Sequence, residues 1–294
     1  MGFSFTQRRD AAQQVRKIAA EQIDSAIEIC ANETDFDKAV HDLRRHCKKV
    51  RGLMRLVRPN FDQFELENAT FRDAADSLSS ARDANVTVET FDTAMKEAWA
   101  EAIDPAHRAQ LRQGLLADQQ QVAEGQDQSK LLADFAATMD KARKRVEQWD
   151  LHGEGFDLLV PGLRHIYAGM RKRMKKAARS GNAADFHEWR KFAKSHGFHV
   201  SLLADSAPDL LGTRKKQLGE LGDYLGSHHD LAVLSDRLTQ LAGTLDPAIA
   251  QGLAGQRQAL ADKALALGEQ LAVESPAMLT SRFSRFWKLL PKED

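Results

Sequence analysis

His41-Asp-Leu-Arg-Arg-His-Cys-Lys48 and His187-Glu-Trp-Arg-Lys-Phe-Ala-Lys194 lie 146 positions apart, and each sets His, Arg and Lys at its first, fourth and eighth places. Side chains three, four and seven residues apart share one face of a helix, whereas on a strand those three and seven apart fall on opposite faces. Around both stretches, runs rich in Ala, Leu, Glu, Gln, Lys and Arg carry apolar residues at three- and four-residue spacing, and only 7 of 294 residues are Pro. The spacing predicts an all-α chain, with helices over 6–31, 35–56, 63–84, 88–103, 105–124 and 130–148. A second series follows over 156–179, 182–203, 208–225, 230–241, 247–273 and 276–290. Arg58-Pro-Asn, Leu151-His-Gly-Glu-Gly155 and Arg179-Ser-Gly-Asn182 supply turn chemistry between helices.

The Gly-bracketed segment 151–155 divides the chain into halves, 1–150 and 151–294, and the halves share a second landmark. Leu78-Ser-Ser-Ala-Arg-Asp83 aligns with Leu225-Gly-Ser-His-His-Asp230 at an offset of 147, one residue from that of the His motif. Matched landmarks in one order point to an internal duplication. The expected architecture is therefore two pseudo-symmetric helical bundles of roughly four helices each.

Charge is balanced overall, with 42 basic and 42 acidic residues, but unevenly placed. Seven Lys or Arg and no acid lie between Arg44 and Arg58, and seven more, again with no acid, between Arg164 and Arg179. Local fields are thus positive on a neutral protein. His41, Arg44, Lys48, Arg51, Arg55 and Arg58 step by three or four residues and form one stripe. Like charges at such spacing oppose a helix, and the plain alternative is a solvated amphipathic face. The second stripe starts with Arg164, Tyr167, Arg171 and Lys175 and continues with His187, Arg190 and Lys194 on the next helix. The short intervening turn makes those two helices antiparallel neighbours whose basic faces line one groove. Lys172, Arg173 and Lys176 fall off the stripe, toward solvent.

Several chemistries are disfavoured. Cys30 and Cys47 have no metal-binding spacing and cannot staple a chain of this length, and no nucleophile elbow or phosphate-binding Gly loop is present. His228-His229-Asp230 lacks the spacing of a metal site, so neither metal nor cofactor is expected. No apolar run spans a membrane, and a cytoplasmic address is the default. His107, His152 and His196 read as structural; Asp42, Asp83, Glu188 and Asp230 read as acids that orient Arg and His.

Taken together, His41-Asp-Leu-Arg with Lys48 and Arg51, Phe71-Arg-Asp-Ala-Ala-Asp-Ser-Leu-Ser-Ser-Ala-Arg-Asp83, His187-Glu-Trp-Arg-Lys with Lys194, and Leu225-Gly-Ser-His-His-Asp-Leu-Ala-Val-Leu234 resemble the CHAD family, the conserved-histidine α-helical domain. The resemblance covers most of the chain as a single such domain. It implies a basic central channel that binds inorganic polyphosphate without catalysis, and an association with polyphosphate granules and their proteins. Carried over by position, the binding set is His41, Arg44, Lys48, Arg51, Arg171, Lys175, His187, Arg190 and Lys194, with Arg82 and His229 at the second landmark; Arg55 and Arg164 extend the stripes. Gly197 stands where Arg would match Arg51, which shortens the second rail. Polyphosphate needs only spaced charge-assisted donors, whereas single-stranded nucleic acid also asks for aromatic platforms, which are scattered here. The alternatives are an Mg-dependent polyphosphate phosphohydrolase or phosphotransferase, and binding to nucleic-acid backbones.

Overall fold

The computed structural model describes residues 2–125 and 127–292, with the side chains of Ser80, Ala81 and Arg82 excepted; Arg82, one of the expected ligands, lies outside the described residues. Among these residues the chain forms eleven α-helices and no strand, in agreement with the all-α expectation. They are α1 (Ala11–Asn32), α2 (Phe36–Val57), α3 (Phe64–Ser77), α4 (Ser79–Ala94), α5 (Pro105–Glu124), α6 (Gln128–Val146), α7 (Val160–Ser180), α8 (Ala183–Leu202), α9 (Pro208–Ala242), α10 (Pro247–Leu271) and α11 (Pro276–Trp287).

Most helix starts follow from a polar residue that accepts an otherwise orphaned N–H. Asp35 accepts from the amide of Lys38, Asn182 from Asp185, Asp127 from Lys130, and Asp104 from His107 ahead of Pro105. Gly181, at φ 65°, closes α7 in the left-handed conformation that glycine adopts without a Cβ clash.

Three breaks differ from the sequence reading. The expected gap at 85–87 lies inside α4, which ends at Ala94 ahead of a 3-10 turn over Ala98–Ala102. Residues 63–84 are split at Leu78, because carbonyls near the end of α3 are taken by side chains: Ser77 Oγ bonds Ala74 O, Ser79 Oγ bonds Ala75 O, and Arg44 Nη1 donates to Ala75 O at 2.7 Å. Such bonds compete with the helical ladder. The expected interruption after Leu225 is absent, and α9 runs through Gly226-Ser227 unbroken. Gly226 is buried against α8, and packing there outweighs the weak helix propensity of a single glycine.

Helix packing follows the same order in both halves. In the first, α1 packs on α2 and α6, α2 on α3, and α4 on α5; in the second, α7 packs on α8 and α11, α8 on α9, and α9 on α10. The hydrophobic clusters nevertheless mix the halves. The larger joins Val15, Leu43, Leu53, Phe71 and Met139 to Leu163, Trp189, Leu221 and Phe283. The smaller sets Val88, Phe91, Leu111 and Leu115 of α4 and α5 against Leu231, Leu234, Leu238, Ile249 and Leu253 of α9 and α10.

Across the middle, α2 meets α7 and α8 at backbone distance. A Cβ on Gly162 of α7 would stand 2.0 Å from the carbonyl oxygen of Leu56, and one on Gly52 would stand 2.7 Å from Cβ of Phe198 in α8. Buried His199 of α8 places Nε2 3.1 Å from Gly52 O, so neutral imidazole donates to that carbonyl. The basic stripe of α2 is thereby brought beside α8.

Candidate anion-binding site

The polar face of α2 lies between α3 and α8, and its cations divide between these neighbours. Arg44 reaches Ala75 O and Ser79 Oγ at the break between α3 and α4, and Arg51 Nε donates to Asn68 Oδ1 at 3.2 Å. Arg55 turns the other way and gives Nη1 to Ser195 Oγ of α8 at 2.9 Å. Lys48, between them, meets the field of Arg190 and Lys194 of α8. The lysine of the first rail thus stands in the field of the second.

α9 forms the floor under the α8 cations. A Cβ on Gly222 would touch Lys194 Cε at 3.7 Å, and one on Gly226 would touch Arg190 Nε at 3.8 Å. Two glycines one turn apart leave a shelf on which an aliphatic stem and a guanidinium lie flat. Under the offset of 147 these glycines match Ala75 and Ser79, the two residues that Arg44 contacts in the first half.

Among the described residues none of Arg44, Lys48, Arg190 and Lys194 has a carboxylate within ion-pair distance. Other cations nearby are neutralised: Arg45 by Asp42, Lys191 by Glu188, Lys176 by Asp185. Asp42 and Glu188 therefore serve flanking cations and not the stripe itself. Arg190 Nε is buried without a partner.

Proton affinities record this crowding. Although Lys48 reaches solvent, the surrounding helices displace enough water to push its ammonium down to about 8, with Arg44, Lys194 and Arg190 adding to the effect and Asp83 opposing it. Lys194 is likewise pushed down to about 8, by burial first and Arg190 second, against Asp223 and Asp230. Burial lowers Arg190, with Asp230 opposing, and takes Arg55 down to about 10 with help from Arg51 and Arg58. Both causes disfavour charge, and the opposite charge of a bound anion would offset them.

His187 and His229 stand at the edge of this cluster, ring centroids 4.2 Å apart. Burial lowers both; His187, beside His229, Lys191 and Arg190, is brought to about 4, and His229 is lowered further by Arg190, Lys191 and Lys194. At neutral pH both imidazoles are uncharged, and a proton would join them only when an anion offsets the local cations.

The other expected residues sit apart from this core. His41 is exposed near the start of α2, and Arg164 and Lys175 are exposed on α7. Arg171 points to the end of α10, where Nε donates to Ala272 O at 2.9 Å; Tyr167 is buried and gives its hydroxyl to Leu271 O and Glu274 O. That side of α7 is a clamp on the α10–α11 turn, completed by Arg214 on Leu271 O and by Arg282 on Glu274. The stripe of α7 and that of α8 therefore diverge. Arg173 lies over the Phe192 ring, and α8 runs unbroken through Gly197, where the rail lacks a cation. The glycines Gly222 and Gly226 were not singled out from the sequence, although their spacing within a helical run was the available signal.

The CHAD domain family matches residues 10–239, well over half of the chain. The chain belongs to the CHAD domain family. The CHAD match takes in α1 to nearly the end of α9 and so contains all six residues of the cluster, Arg44, Lys48, His187, Arg190, Lys194 and His229. PptA from Streptomyces chartreusis is similar in fold, with 15% identity and a TM-score of 0.57 over 94% of this chain and 99% of that one. So is the CHAD domain from the plant Ricinus communis in its crystal structure, with 18% identity and a TM-score of 0.53 over 99% of this chain and 94% of that one. No curated protein matches the sequence. No helix among the described residues is long and apolar enough to cross a membrane.

Proposed function

We propose that this CHAD protein binds inorganic polyphosphate without catalysis, gripping it between Arg44 and Lys48 of α2 and Arg190 and Lys194 of α8. The observation that carries this reading is that these four cations are held together with no described carboxylate within ion-pair distance of any of them, the nearest acids, Asp83, Asp223 and Asp230, acting only at longer range. Such a cluster costs free energy in the unliganded protein, and a polyanion repays that cost when phosphoryl oxygens replace the missing counter-charges. Arg51 and Arg55 extend the track along α2, so an extended ligand meets donors over several helical turns. Neutral His187 and His229 contribute donors at its edge. Aromatic platforms for bases are missing from the cluster, which favours phosphate chains over nucleic acid.

A calorimetric titration of long-chain polyphosphate into the protein tests the reading, beside a Lys48→Gln/Arg190→Gln/Lys194→Gln variant whose folding is checked by its melting curve. Tight binding lost in the folded variant supports it. Equal affinity for single-stranded RNA would move the assignment to nucleic acid, and phosphate released in the presence of Mg²⁺ would move it to an enzyme.

A further inference from the structure

Lys48 combines three properties that seldom meet in one lysine. The residue is exposed on α2, so part of its side chain is open to solvent. It forms no ion pair with any described carboxylate. Its charged neighbours are Arg44, Lys194 and Arg190, two of them guanidiniums suited to hold a phosphate by paired hydrogen bonds, and the one acid that faces it is Asp83. Lys194 shares the field, but its stem lies against Gly222 on the floor and is half-buried.

We propose that Lys48 is a modification site, acylated by small acyl phosphates whose phosphate group docks on Arg44 and Arg190 and so presents the acyl carbon to Nζ. In the step, the unprotonated amine attacks the acyl carbon and the new N–C bond forms as the C–O bond to phosphorus breaks. Inorganic phosphate departs, retained for a moment by the guanidiniums, and the nitrogen loses a proton to water. Two features favour Lys48 over other lysines. A larger fraction of its amine is unprotonated near neutral pH, because burial and three cations disfavour the charge. The leaving group is an oxyanion aimed at donors already in place. The product is an amide, which removes one of the four central cations and turns down polyanion binding. The inference rests on the anion-binding reading above.

The test incubates the folded full-length protein with acetyl phosphate and follows each lysine by peptide mass spectrometry, with exposed Lys96, Lys263 and Lys288 as references. The expected result is acetylation of Lys48 about tenfold faster than of the references, with a rate that levels off above a pH of about 8 while theirs keeps rising. Added inorganic phosphate should slow Lys48 alone, and N-hydroxysuccinimidyl acetate, which carries no phosphate, should show a smaller preference. An Arg190→Gln variant, verified as folded, should lose the preference and Arg190→Lys should recover part of it. Acetylation of Lys48 at the rate of the references overturns the proposal. Polyphosphate titrated into unmodified protein separates the two readings: binding without selective acetylation removes only the modification site, whereas selective acetylation without polyphosphate binding removes only the polyphosphate assignment.

Discussion

His187 of α8 and His229 of α9 lie ring against ring at 4.2 Å between centroids, both driven toward the neutral form by burial and by neighbouring cations. These residues belong to the two landmarks that recur along the sequence, and the fold brings them to one edge of the Lys48–Arg190–Lys194 cluster. A polyanion bound there favours the protonated form of both imidazoles and of both lysines, so binding must take up protons. Affinity should fall as pH rises through about 8, where Lys48 and Lys194 lose their charge, and should increase on acidification below the ordinary histidine range. Calorimetry in buffers of different ionisation enthalpy measures the uptake. A His187→Asn/His229→Asn variant should lose the acidic component and keep the one near pH 8.

Salt should weaken binding steeply. Four phosphate contacts, at a slope of about −0.7 per contact for a single-stranded polyanion, predict an affinity loss of about fiftyfold between roughly 50 and 200 mM salt. Lys48→Gln should lower the slope by about one contact. An affinity that barely responds to salt would contradict an electrostatic grip.

Gly226 separates stability from binding. A methyl group there meets Arg190 at ordinary contact distance, so Gly226→Ala should gain about 0.5–1 kcal/mol from helix propensity and raise Tm by a few degrees without changing polyphosphate affinity. Gly226→Leu should push the Arg190 guanidinium off its shelf and weaken binding, as a titration would register, even if the protein remains folded.

Gly162 has the opposite character. Its Cβ position is already occupied by backbone, 2.0 Å from Leu56 O, and no side-chain rotation relieves the overlap. Gly162→Ala must separate α7 from α2 and should cost about 3 kcal/mol or more, seen as a large drop in Tm.

Acid should unfold the protein through its buried histidines. His196 is held well below the ordinary value by burial and by Arg214, and His199 is brought to about 3 by burial and Arg55 against the Gly52 carbonyl. Folded-state values below the unfolded one mean that their contribution is present above about 6.5 and is lost as pH falls through that value toward about 3. Melting curves across this window should show the decline, and His199→Gln should reduce by about one the protons taken up on unfolding.

The all-α class, most of the helical spans and the basic face of α2 were legible in the sequence, because apolar periodicity and charge spacing are local properties of the chain. The His-Arg-Lys spacing likewise foretold that Arg44 and Lys48 share a face, and Arg190 and Lys194 another. Partnership was not legible. Arg171 and Lys194 look alike along the chain, yet Arg171 caps the carbonyl of Ala272 while Lys194 lies against Gly222 and adds its field to that of Lys48, since the direction a helix face points depends on which neighbours pack against it. The glycines at 52 and 162 set how closely α2, α7 and α8 approach, and that approach gathers four cations that form no ion pair with a described acid. Sequence by itself determined an all-α chain with recurring cationic faces; only the tertiary structure decided which faces meet, because burial and the mutual field of charges exist only once distant segments are packed together.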